Sequence, residues 1–317
     1  MDDVSFHKIL SFFSLSRQGY RKVRKGVKKR LIRHMEALGL HCIDDYLLFL
    51  SRDPREEKKA RQSLTVSISR FFRDRLLWEV LRTIVLPDLA LAAPEMLRIW
   101  CAGCASGEEV YSLRILWNEM TEVDSGLPPM EIWATDLNPV LVERAKEGEY
   151  QPGSLKEVQP ELREKYFIHR GDLLCVRDSL KKGIHWQCSD VVQDPPPAGI
   201  FNLVFLRNSL FTYYEQHVQV TVIPRILDRI PWGGYVVVGN NETIPPVDIP
   251  VAPHPAYRCI LQKKRPDGPD ITSRSHPKRA LHREGCKSVI KSLAKDLAIS
   301  ILRRVFKWRD EQEVVDG

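Results

Sequence analysis

The strongest chemical signal in this 317-residue chain is one turn and one acid that follows it. The segment Leu97-Arg-Ile-Trp-Cys-Ala-Gly-Cys-Ala-Ser-Gly-Glu-Glu-Val-Tyr-Ser112 reads as an apolar strand, a turn containing Gly103 and Gly107, and the start of a helix. Glycines at such a turn let a ligand approach the backbone closely. In an open α/β sheet, ligands sit at the carboxyl ends of strands, near the topological switch point. Dinucleotide folds place a pyrophosphate on the helix N-terminus. Here Glu108 and Glu109 put two carboxylates where that phosphate would lie, which favours a ligand with a cationic group. The next strand, Glu131-Ile-Trp-Ala-Thr-Asp136, ends in an acid placed to accept hydrogen bonds from both ribose hydroxyls of an adenosine ligand. S-adenosylmethionine combines an adenosine with an ammonium and a sulfonium and has no phosphate. Two other readings stay open: Gly103 and Gly107 as an ordinary strand-to-helix turn, and Asp136 as a cap for the helix after Asn138-Pro139.

Cys101 and Cys104 form a C-x-x-C pair within the turn. Neither a second pair nor a nearby histidine completes a zinc site, and the surroundings are not those of a thioredoxin-like redox pair. They read as small residues of the turn, and no metal is expected.

The elements that must hold this turn follow from pattern changes along the chain. Residues 1–90 read as an all-helical domain. Leu31, Met35 and Leu38 recur at helical spacing, and further helices are expected over Ile43–Leu50 and Pro54–Leu64. From 91 to 263 strands alternate with helices, which implies a mostly parallel sheet. Strands are expected at Leu97–Cys101, Glu131–Thr135, Ile184–Cys188, Asn202–Leu206, Tyr235–Val238 and Tyr257–Gln262. The intervening helices fall at Glu109–Met120, Pro139–Glu149 and about 215–230. Residues 151–183 interrupt the alternation as an insertion. Residues 264–286 read as a polar linker, and 287–309 as one amphipathic helix with Ile290, Leu293, Leu297, Ile301, Val305 and Trp308 on one stripe. That last helix either packs on its own domain or serves partner docking, self-association or membrane-surface contact.

Composition narrows the class. Hydrophobic residues are 43% and charged residues 28%, which excludes a wholly disordered chain, a collagen or a coiled-coil rod. Seven cysteines are no disulfide framework. With neither a leader pattern at the start nor an apolar run of membrane-spanning length, cytoplasmic residence is expected. Lys plus Arg is 48 against 41 Asp plus Glu, a formal net charge of +7. Much of that excess sits in residues 17–33 and in the tail after 263. The run of Arg17, Arg21, Lys22, Arg24, Lys25, Lys28, Lys29, Arg30 and Arg33 has only Tyr20 interleaved among aromatics, which argues against single-stranded nucleic acid and for an acidic protein face.

Read together, the motifs resemble the CheR family, the S-adenosylmethionine-dependent chemoreceptor glutamate methyltransferases. The resemblance runs from about residue 15 to 263. Its anchors are Ser67-Ile-Ser-Arg-Phe-Phe-Arg-Asp74, Ala102–Ser112, Ala134-Thr-Asp-Leu-Asn138, Phe205-Leu-Arg-Asn208 and Gly233-Gly-Tyr-Val-Val-Val-Gly239. It implies an α/β fold: a Rossmann-like methyltransferase sheet with an N-terminal all-helical domain and a small inserted subdomain.

The resemblance also implies roles. Arg73 falls at the cofactor and the substrate carboxylate, and Ser67 and Ser69 line the cofactor pocket where the family more often has Asn and Thr. Gly103, Gly107 and Glu108 belong to the cofactor turn, and Asp136 to the ribose. Asp190 and Val191 fall near the adenine, and Arg207 and Asn208 after the fourth strand. Read without the resemblance, Arg73 would be a helix salt bridge with Asp74 or a neighbour, and Arg207 and Asn208 a strand-end cap.

Two departures stand out. Ser209-Leu-Phe-Thr212-Tyr213-Tyr214 replaces the family's Val-(apolar)-Ile-Tyr-Phe, so Thr212 takes the tyrosine position near the methyl group and Tyr213, the candidate catalytic tyrosine, comes one residue late. Gly239-Asn240-Asn241-Glu242 replaces Gly-His-Ser-Glu. The implied activity is methyl transfer to glutamate side chains of an acidic, helical, chemoreceptor-like protein, with membrane contact only through that receptor. The alternatives are another protein or a small carboxylate as acceptor, or a non-catalytic cofactor-binding module.

Overall fold

The computed structural model describes residues 1–266, which form one compact unit. The rest of the expected linker and the expected helix 287–309 lie outside the described residues. The chain opens with helices Asp3–Phe12, Arg24–Ala37, Ile43–Arg52 and Pro54–Leu64. Their starts follow local chemistry. Asp2 accepts from the Ser5 N–H, and Asp53 accepts from the Arg55 and Glu56 N–H groups with Pro54 in the first helical position. Leu31 and Met35 do face a core, together with Phe6, Ile9, Leu10, Tyr46, Leu50 and Leu64.

The main sheet has seven strands: β1 (Leu97–Ala102), β2 (Met130–Asp136), β6 (Ile184–Cys188), β7 (Leu203–Phe205), β8 (Tyr235–Val237), β9 (Val251–His254) and β10 (Tyr257–Lys263), in the order β6-β2-β1-β7-β8-β10-β9. Every pair from β6 to β8 is parallel, and β10 runs antiparallel to both its neighbours. The alternation of apolar residues splits the core in two. Leu97, Ile99, Cys101, Leu203, Phe205 and Val237 face one layer, with helices Arg75–Val80, Leu86–Ala92 and Glu108–Val123. Trp100, Ala102, Val204, Leu206 and Val236 face the other, with helix Gln216–Leu227. Burial on both faces is why these strands read as continuous apolar runs.

The sequence order β1, β2, β6 proceeds to one side of β1, and β7, β8 to the other. The switch point therefore lies between β1 and β7, where the loops after the two strands diverge and leave a crevice. The Gly103 turn follows β1, and Arg207-Asn208 follows β7.

Two features were not anticipated. The inserted segment, with the two residues before it, holds its own antiparallel sheet, ordered β3 (Glu149–Tyr150), β5 (Leu173–Val176), β4 (Phe167–Arg170), so that the helix expected to reach Glu149 ends at Glu147; these strands are too short to show alternation. β9 carries Pro253, which a sheet tolerates at an edge strand such as this one.

The Leu31 side chain is fully buried among the N-terminal helices. Leu31→Ala should lower the unfolding free energy by about 2–5 kcal/mol, read from the urea midpoint.

Candidate cofactor and acceptor site

The Arg73 turn is held from two sides. Phe71 is fully buried against Tyr150 and Phe167 of the insertion, with ring centroids 4.8 and 5.3 Å away. Phe72 instead packs toward the main core, 5.4 Å from the Trp78 ring. The Phe72 N–H donates to Ser112 Oγ (2.9 Å) and the Trp78 indole to the Arg73 carbonyl (2.8 Å). Phe72 and Asp74 both adopt positive φ, 48° and 65°. Two such non-glycine residues around one arginine are strain that the surrounding contacts must hold.

Arg207 is the central contact. Its Nη2 donates to Asp74 Oδ2 in a short ion pair and its Nη1 to Glu109 Oε2 at 2.7 Å, with only 5% of the side chain exposed. Desolvation works against the cation, but Glu109 and Asp74 outweigh it and raise its pKa. Asn240 Nδ2 donates to the other oxygen of Asp74 at 3.1 Å. With Asp74 so occupied, Arg73 forms no ion pair among the described residues, and its guanidinium faces a cleft.

Two adjoining cavities form that cleft, and both are lined by Val66, Gly103, Ala105 and Asn208. One adds Ser69, Arg73, Trp78, Glu109 and Arg207. The other adds Asp136, Asp190, Val191, Tyr213 and Tyr214 from the sheet side and Leu15, Tyr20 and Arg61 from the helical side. Asp136 is 9% exposed. Its Oδ2 accepts from the Ala105 N–H and its Oδ1 from the Asn138 N–H, both at 2.9 Å. The helix that follows is capped by Asn138, not by Asp136. Asp190 is 5% exposed, and its Oδ1 accepts from the Val192 N–H at 2.8 Å. Burial raises the pKa of both acids against the pull of those N–H donors.

The other expected residues divide. Ser69 lines the cleft and its hydroxyl bonds to Glu108, whereas Ser67 is exposed and outside the lining. Glu108 is buried beside the turn, its pKa raised by that burial, while Glu109 reaches the lining. Gly103 has φ 83° and lines both cavities. Gly107, at φ 87°, is instead a packing contact: a Cβ there would lie 2.9 Å from Ala145 Cβ and 3.0 Å from the Trp186 ring. Asn208 has positive φ (52°) and donates its N–H to Glu242 Oε2 at 2.9 Å. Tyr213 lines the cleft with its ring 5.1 Å from that of Tyr20, and burial raises its pKa. Thr212 turns away, donating to Glu242 Oε1 at 2.5 Å. Cys101 and Cys104 are buried free thiols, and among the described residues no cluster of His, Cys, Asp or Glu could hold a metal.

Sequence reasoning missed Arg61, Tyr20, Tyr214, Trp78 and Glu242, which carried no local signal, whereas Glu109 was read as the second acid after the turn and does line the cleft.

S-adenosylmethionine fits this cleft. Glu108 Oε2 and Asp190 Oδ2 are buried acceptors without a hydrogen-bond partner, and Ser209 Oγ is a third such atom. The adjacent Val191 N–H bonds to no described residue. Orphaned buried acceptors are costly unless a donor arrives. An ammonium and an adenine amino group are donors of that kind.

The CheR methyltransferase SAM binding domain model matches residues 67–255. A chemotaxis protein methyltransferase of Listeria innocua serovar 6a is 31% identical over 218 residues, covering 69% of this chain and 81% of that protein. One from Listeria monocytogenes serovar 1/2a is 33% identical over 181 residues, 57% of this chain and 67% of that one. Chemotaxis protein methyltransferase 1 of Pseudomonas aeruginosa is 29% identical over 227 residues, 69% and 81%.

Removing Arg207 strands two carboxylates in a half-buried site. Arg207→Met should cost about 3–5 kcal/mol in urea unfolding. Adding Asp74→Asn and Glu109→Gln should recover part of that loss.

Proposed function

The chain belongs to the CheR methyltransferase family, its cofactor is S-adenosylmethionine, and from that footing we propose that it methylates glutamate side chains of a chemoreceptor or related acidic helical signalling protein in the cytoplasm. The observation that carries this reading is Arg73. It is a cation in the cleft whose neighbouring acid, Asp74, is already bound by Arg207 and Asn240. A carboxylate acceptor would meet a guanidinium with free donors.

S-adenosylmethionine supplies, when bound, a methyl group on a positively charged sulfur. A glutamate is ionised near pH 7, so attack on that methyl needs no strong base and no metal. The residues of the chain have binding and orienting roles. Asp136 accepts from the ribose hydroxyls. Asp190 and the Val191 N–H face the adenine edge as acceptor and donor. Glu108, Ser69 and Glu109 form the acidic end for the ammonium. Arg73 orients the acceptor carboxylate without a second cation beside it, because Arg207 is neutralised by its own two acids. Tyr213 closes the side of the cleft toward the helical lobe and limits water.

The acceptor surface follows from charge. Arg21, Lys22, Lys25, Lys29 and Arg33 are exposed on or beside helix Arg24–Ala37, and none forms an ion pair among the described residues. Arg24 and Lys28 pair with Asp3. A face of unpaired cations attracts an acidic helical partner and speeds encounter at low salt.

The test is transfer of labelled methyl from S-adenosylmethionine to cytoplasmic receptor fragments. Label released as methanol by mild base identifies a glutamyl ester, whereas base-stable label refutes it. Transfer to small carboxylates with none to receptors would favour the other acceptor class. Arg73→Met should lower kcat/KM about 10- to 100-fold, the value of one or two hydrogen bonds to a charged group, and leave S-adenosylhomocysteine affinity less affected.

A further inference from the structure

Arg61 is a cation in the wrong place for a surface helix. It sits in the last turn of helix Pro54–Leu64, yet its side chain is 11% exposed and it lines the adenosine end of the cleft. Its anchors surround it. Nη2 donates to Glu57 Oε1 at 2.5 Å, the guanidinium lies 4.9 Å from the Phe13 ring centroid, and Tyr214 shares a hydrogen bond with it. Its Nε stands 3.7 Å from Asp190 Oδ2, too far for a hydrogen bond but close for Coulomb attraction. Both atoms are buried, and neither has a hydrogen-bond partner.

The geometry of Asp190 makes its protonation state consequential. Oδ1 accepts from the Val192 N–H, and the Asp190 N–H donates to Asp194 Oδ2, each at 2.8 Å. A proton on this carboxyl would therefore go to Oδ2, the oxygen without a hydrogen-bond partner. There it would turn an acceptor into a donor, opposite an amino group that is itself a donor. The charged and titratable groups around it are few. Asp194 and Asp136 are acids that disfavour its charge, Arg61 favours it, and Tyr214 and Glu57 hold Arg61. Burial pushes the Asp190 pKa up, and Arg61 is the cation that opposes this.

We propose that Arg61 is a positioning residue for the cofactor: contributed by the helical lobe, it keeps Asp190 an ionised acceptor for the amino group of the adenine. This rests on the placement of the adenine at Asp190 and Val191. It makes the helical lobe part of the cofactor site, so that the segment carrying the basic face also sets how adenosine is held.

The experiment is calorimetric titration of the full chain with S-adenosylhomocysteine between pH 5 and 8.5, for wild type, Arg61→Met, Arg61→Lys and Asp190→Asn. Ionised Asp190 binds, so affinity falls as pH drops through its pKa, by up to tenfold per pH unit below it. Loss of an adjacent opposite charge moves a carboxylate by roughly one to three pH units. Arg61→Met should move the midpoint of the affinity loss upward by that amount, and Arg61→Lys should keep the midpoint near that of wild type. In an Asp190→Asn background, which weakens binding at every pH, Arg61→Met should add no further pH dependence. A uniform loss in Arg61→Met with an unmoved midpoint would make Arg61 merely structural and overturn the proposal. Asp190→Asn binding like wild type across the range would instead overturn the adenine placement itself. Should Arg61→Met not fold, the comparison of Arg61→Lys with wild type decides, since a shifted midpoint despite retained charge refutes the Coulomb argument.

Discussion

Arg207 is a cation almost sealed from water, with Asp74 on one nitrogen and Glu109 on another. These three residues come from three parts of the chain: the loop after β7, the turn of Phe71 to Asp74, and the first turn of the helix after Gly107. A buried group of this kind is not obviously stabilising, because desolvation offsets much of the attraction. Its effect is positional. It fixes the left-handed Asp74, and with it the direction of Arg73, and it holds Glu109 at the edge of the cleft. The two phenylalanines complete the restraint from opposite cores. Without them a turn with two strained non-glycine residues would relax.

The clamp also sorts charge within the cleft. Three acids (Glu109, Asp136 and Asp190) line it, with the cations Arg61, Arg73 and Arg207, while Asp74 and Glu108 stand outside the lining. Arg207 is committed to two acids and Arg61 faces Asp190 and Glu57. Arg73 alone among these three forms no ion pair with a described residue. The acidic remainder suits a cationic cofactor, and the one guanidinium of the three without an ion pair, bonded only to the Ile68 carbonyl at 3.5 Å, suits an anionic group. The switch point of the sheet brings these together, because the loops after β1 and β7 diverge there.

Much of this was legible in the sequence where the signal was local. The glycine turn, the acid at the end of β2 and the helical start before Phe71 are each contained in a short window, and the structure places Gly103, Asp136 and Arg73 around one cleft. What escaped was set by distant contacts. Arg61 reads as one more cation in Lys58-Lys-Ala-Arg61, and only the approach of Asp190, far along the chain, makes it part of the cleft. Ser67 and Ser69 are equivalent by type, but the irregular segment before Phe71 leaves Ser67 exposed and brings Ser69 to the cleft beside Glu108. Gly107 looked like a ligand contact and is a packing contact, because the close approach comes from Ala145 and Trp186. The strands of the insertion were invisible, since two to four residues carry too little periodicity to declare themselves.

The two departures from the family pattern become one structural question. Thr212 donates to Glu242, which also accepts the N–H groups of Asn208 and Gly239. Asn240 accepts from the Tyr257 hydroxyl at 2.5 Å and donates to Asp74. Both altered positions therefore serve the bonds that join the ends of β7 and β8 to the Arg207 clamp. Among the aromatic residues that line the cleft, Tyr213 leans on Tyr20 of the helical lobe, and its carbonyl accepts from the Ser16 N–H at 2.8 Å. Tyr213 is held from both sides, since its own N–H donates to the Ser209 carbonyl at 3.0 Å. In this chain that wall of the cleft therefore joins the helical start of the chain to the loop after β7.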